Sequence, residues 1–68
     1  MMVEIREGAL DRKIVGTCAN YPDALNLAIR TLRQLESVPI SNPNQWVEIF
    51  DGDVLRMSAQ VGANRSKR

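Results

Sequence analysis

The chain has no histidine, one cysteine (Cys18) and only one each of Trp, Tyr and Phe. Without histidine the usual general base for a serine or cysteine nucleophile is missing. A lone cysteine forms no internal disulfide and fits no zinc-binding spacing. Asp51 and Asp53 flank Gly52 but lack the further ligands of a calcium loop. No enzymatic activity, metal or cofactor is therefore expected. Nine Lys and Arg against eight Asp and Glu leave a net charge of +1, so no global field draws the chain to nucleic acid or membrane. No apolar run reaches the length of a membrane span or of a signal peptide. These absences predict a soluble, cytoplasmic protein that does not engage membranes.

At 68 residues the chain is one small domain, near the lower size limit for a self-sufficient core. Its organising stretch is Tyr21 to Ser37, YPDALNLAIRTLRQLES, rich in Ala and Leu and free of glycine. Pro22 suits the first helical turn, Asn20 is the better of two candidate caps, and Asp23 sits at the positive end of the helix dipole. Leu25, Ala28, Ile29, Leu32 and Leu35 follow helical spacing and predict the buried stripe. On that reading Leu27 is exposed with Asn26, Arg30, Arg33 and Gln34. The helix should end before Pro39.

Around it lie four short strand patterns. MMVEIRE alternates, with Val3 and Ile5 predicted inward. Gly8 to Arg12 reads as a hairpin connection longer than two residues. In the second strand, Lys13 to Ala19, the glycine weakly favours Ile14, Gly16 and Cys18 as the set facing the helix. SVPISNPNQ reads as a surface loop. Asp51-Gly52 between two alternating runs predicts a type I′ hairpin. Val47, Ile49, Leu55, Met57, Ala59 and Val61 would face the helix, and Trp46, Glu48, Phe50, Val54, Arg56, Ser58 and Gln60 would face away. The result is an α+β fold of ββαββ order over residues 1–61, a four-stranded antiparallel sheet with one helix on one face, followed by a basic tail at 62–68.

One helix leaves the second sheet face bare. There Trp46 and Phe50 flank Glu48, with Arg56 on the paired strand and Glu4 and Arg6 on the first. An apolar patch rimmed by charge marks an interaction site. A one-residue slip would instead bury both rings in the core. A second candidate surface is the outer helix face around Leu27, where Arg30 and Arg33 either grip a carboxylate or phosphate or stay solvated. The favoured function is a non-enzymatic binding module that occludes or tethers a protein partner, with homodimerisation as a way for so small a core to gain burial. The alternative is a module for single-stranded nucleic acid, using the sheet aromatics, Arg56 and the tail from Arg65 to Arg68.

In layout the chain resembles small strand, strand, helix, strand, strand accessory proteins of bacteria and phages. GxxxxYPDALNLAIRTL stands at the strand-to-helix junction and WVEIFDGDVLR forms the second hairpin. Some anti-CRISPR proteins of phages are similar in size and layout. The resemblance implies an inhibitor that works by occupying a partner's surface, inside a bacterial host cell if phage-encoded. It extends to layout and to no diagnostic residue.

Overall fold

The computed structural model describes residues 1–37 and 44–62, and the loop prolines and the basic tail lie outside them. Five elements follow one another as β1 (Met2–Glu7), β2 (Asp11–Thr17), α1 (Tyr21–Glu36), β3 (Gln45–Asp51) and β4 (Val54–Gln60). The four strands form one antiparallel sheet in the order β2-β1-β3-β4, which is the predicted ββαββ fold. The order has a simple cause. A helix that crosses the sheet joins strands running the same way, so β2 and β3 cannot be neighbours in an all-antiparallel sheet. β1 lies between them, paired to both.

The helix begins as its sequence requires. Asn20 is extended (φ −147°) and its Oδ1 accepts a hydrogen bond from the Asp23 N–H at 3.0 Å, with Pro22 in the first turn. At the other end the Ser37 hydroxyl donates to the Gln34 carbonyl at 2.8 Å. The backbone N–H of Gly62, just past β4, donates to the Glu36 carboxylate at 2.7 Å and ties the last strand to the helix end.

The buried face of the helix is rotated from the predicted stripe. Ala24, Ala28 and Thr31 are buried, whereas Ile29 is 39% exposed. Leu27, expected in solvent, packs against the core instead. Small side chains along the contact line let the helix axis approach the sheet, while Leu27 on one flank and Leu25 and Leu32 on the other fill the space beside it. Gly16 completes this fit: a Cβ there would stand 3.3 Å from Leu27 Cδ2. From the sheet, Val3, Val47, Ile49 and Val61 close the core, each at most 1% exposed.

Two bulges change which residues share a face. In β2 the pairing passes from Val3↔Gly16 to Glu4↔Ile14, leaving Val15 as the extra residue. Gly16 keeps its helix-facing place and Cys18 packs on the core, but Ile14 moves to the opposite face and is 60% exposed. In β4 the pairing passes from Ile49↔Met57 to Phe50↔Leu55, leaving Arg56 as the extra residue. Met57, Ala59 and Val61 face the helix as expected. Leu55 does not: it pairs with Phe50 and is 49% exposed.

The second hairpin turn also differs from its sequence reading. Asp51 pairs with Val54, so the central residues are Gly52 and Asp53. Gly52 has φ +63° and Asp53 does not have a positive φ. Positive φ at the first central position alone is the type II′ pattern, in place of the I′ turn expected at Asp51-Gly52.

Candidate interaction surface

Because cross-strand partners share a face, the register lays out the sheet side away from the helix as three rows across four strands. The first runs Thr17, Met2, Phe50, Leu55. The second runs Ile14, Glu4, Glu48, Ser58. The third runs Arg12, Arg6, Trp46, Gln60. Trp46, Glu48, Phe50 and Arg6 therefore come together on this face as predicted. Neither ring enters the core; Val47 and Ile49 occupy it.

The central row places two carboxylates opposite each other on adjacent strands, an arrangement that is unfavourable unless cations intervene. They do. Arg6 Nε donates to Glu48 Oε2 at 3.1 Å, and Arg12 Nη1 lies 3.3 Å from Glu4 Oε1 and 3.4 Å from Glu48 Oε1. The Ser58 hydroxyl donates to Glu48 Oε2 at 3.1 Å. Glu48 is 4% exposed and Glu4 7%, so both acids are nearly buried by their own neighbours. Burying charge is tolerable only with such pairing.

The same arginines cover the rings. The Arg6 guanidinium lies 4.2 Å from the Trp46 ring centroid and that of Arg12 lies 5.5 Å from the Phe50 centroid. A further bond from Arg6 Nη1 to the Gly8 carbonyl, 2.6 Å long, holds the first guanidinium in place. The surface is thus a pre-ordered layer of stacked cations and aromatics over buried acids, not a bare apolar patch.

Four of the residues expected to bind a partner lie off this face: Arg56, and the helix residues Leu27, Arg30 and Arg33, of which the two arginines are exposed on α1 as expected. Arg56, displaced by the bulge, has its guanidinium 5.4 Å from the Tyr21 ring and 3.4 Å from Asp51 Oδ2, away from Glu48. Arg30 and Arg33 are exposed on the helix, on the other side of the sheet from Trp46. Leu27 is half-buried against the core instead of standing in solvent. Sequence reasoning missed Arg12, which it placed in the hairpin connection. The loop is shorter, Gly8 to Leu10, so Arg12 already lies in β2 across from Arg6. Alternation along the strand gave no signal for it, since the predicted inward set containing Ile14 would have put Arg12 on the helix face, and only the bulge at Val15 reverses this.

Beside Phe50 the face sinks into an open hollow of about 280 Å³, lined by Met2, Glu4, Arg12, Phe50, Gly52 and Asp53. Among the described residues no three His, Cys, Asp or Glu side chains converge as metal ligands, and no helix is long and apolar enough to cross a membrane. No protein-family model matches the chain, and the curated proteins and the solved structures yield no significant match either.

Proposed function

We infer that this protein is a binding module that acts by occupying the surface of a protein partner through the sheet face carrying Trp46, Phe50, Arg6 and Arg12. The observation behind this reading is the ordered Arg6–Trp46 stack over the buried Glu48. Side chains fixed before binding lose little entropy on docking, and Trp with Arg is the composition of interface hot spots. Inhibition by occlusion, as in the small phage proteins that the layout resembles, is the concrete form of this activity, in the cytoplasm of a bacterial host.

The face is small for a stand-alone interface. Three rows across four strands, at strand and residue spacings of ~4.8 and ~6.8 Å, cover roughly 400 Å² per protomer. Two such faces together bury roughly 800 Å², below the 1,200 Å² or more of stable interfaces. A stable complex, with a second copy or with another protein, would therefore need contacts beyond this face. The nucleic-acid reading has less support, because Arg6 and Arg12 occupy positions over the rings where bases would stack.

The test is photo-crosslinking in extracts of the source cell, with a benzophenone side chain at Leu55 on the sheet face or at Arg33 on the helix. A discrete protein adduct from Leu55 only, lost when Trp46→Ala is added, is expected. An adduct from Arg33 only would overturn the choice of face. Salt-sensitive quenching of Trp46 by single-stranded oligonucleotides would instead support nucleic acid. Sedimentation velocity reads the oligomeric state.

A further inference from the structure

We propose that the hollow beside Phe50 is a receptor for one arginine side chain of the partner, a specificity pocket within the face assigned above and resting on that assignment. At about 280 Å³ it is at the small end for a drug-like ligand but has room for a guanidinium and its methylene stem. Its walls suit that group. Phe50 and Met2 supply an aromatic ring and a thioether for the stem, and Glu4 and Asp53 supply carboxylates.

Two observations show that the carboxylates have capacity left. The Glu4 side chain is 10% exposed and lines the hollow, yet only Oε1 has a partner, Arg12; Oε2 accepts no hydrogen bond among the described residues and is not sealed from solvent. Asp53 on the turn forms no ion pair among the described residues, whereas Asp51 is paired with Arg56. The hollow itself is lined by two carboxylates, Glu4 and Asp53, and one guanidinium, Arg12, leaving one negative charge uncompensated. A single added cation would balance it.

The molecule's own Arg12 shows that the local geometry holds a guanidinium. It reaches in from the edge strand, 5.5 Å from the Phe50 centroid, at 3.3 and 3.4 Å from the two glutamates, and remains 47% exposed. An incoming arginine would pair with Glu4 Oε2 and Asp53 beside it. Arginine is favoured over lysine because a planar fork can serve two carboxylates at once, beside the Arg12 guanidinium that already covers the Phe50 face.

The experiment is a ¹⁵N-resolved NMR titration of the whole chain with N-acetyl-arginine amide, and with N-acetyl-citrulline amide as the uncharged shape match. Saturable shifts at Met2, Phe50, Gly52 and Asp53 are expected with arginine, with citrulline binding about fivefold or more weakly. Asp53→Asn, at an exposed turn where folding is not at stake, should weaken arginine about threefold or more, and Glu4→Gln should act in the same direction. Equal binding of arginine and citrulline, shifts centred elsewhere, or an Asp53→Asn protein that binds as wild type would overturn the proposal. If arginine fails while the Leu55 crosslink persists, the pocket is wrong and the face stands. A crosslink from the helix alone removes the face itself.

Discussion

Glu4 and Glu48 stand directly opposite each other on the two central strands, and a single guanidinium, that of Arg12, lies within 3.4 Å of both. The sheet face is therefore held by an alternation of charge that crosses three strands. The two acids differ in how many donors they receive, and this separates their effects on stability.

Glu48 accepts from Arg6, Arg12 and Ser58, whereas Glu4 accepts from Arg12 only. Glu48→Gln is expected to lower stability by about 1–3 kcal/mol, since it leaves Arg6 without its charged acceptor. Glu4→Gln should cost about 1 kcal/mol or less, because relief of the acid–acid repulsion offsets part of the loss. Urea denaturation at constant slope measures both. An equal cost for the two substitutions would contradict the central role of Glu48.

Arg6→Lys keeps the charge but removes the planar group that both stacks on Trp46 and bonds Glu48. The expected result is red-shifted Trp46 emission, faster quenching by acrylamide and a stability loss of about 1 kcal/mol. Arg12→Ala should leave Trp46 emission unchanged, since its guanidinium lies over Phe50. Emission that responds to both alike would show that the two stacks are not independent.

Gly52 has φ +63°, and a Cβ added there meets nothing within 4 Å. Any cost of a side chain is then purely conformational. In a chemically synthesised chain, Gly52→Ala should destabilise by about 1 kcal/mol, and the D-alanine counterpart should be neutral or stabilising. Thermal melts distinguish them; matching melting temperatures would rule out the type II′ turn.

Gly16→Ala places a Cβ 3.3 Å from Leu27 Cδ2, a side-chain end that must give by a few tenths of an ångström, so its effect on stability should stay within about 1 kcal/mol. Leu27→Ala should cost about 1–2 kcal/mol as a half-buried leucine. Combined, the two should cost less than their sum, because the shortened side chain vacates the space the methyl needs. Additive losses would place Leu27 away from β2.

Much of this was legible along the chain. Asn20 and Pro22 start the helix by local chemistry, alternation marks the strands, and the inward set Val3, Val47 and Ile49 follows from a period of two. The same alternation put Trp46, Glu48 and Phe50 together on the outer face. The misread strand residues Ile14, Val54, Leu55 and Arg56 all lie at or just beyond bulges. One extra residue on one strand reverses the alternation beyond it, and its cause lies in the pairing, which no single strand contains.

The helix stripe was misjudged for a related reason. Hydrophobicity alone favoured large side chains such as Ile29, whereas closeness of approach to the sheet favoured Ala24, Ala28 and Thr31, with Gly16 opening room for Leu27. What the sequence determined by itself is whatever depends on neighbours within a turn or a strand: element type, caps, and which side of a regular strand a residue takes. Tertiary structure alone decided the strand order, the rotation of the helix, and the bridging of Glu4 to Glu48 by Arg12. Those depend on the fit and charge of residues far apart in the chain, and only the folded register brings them within reach.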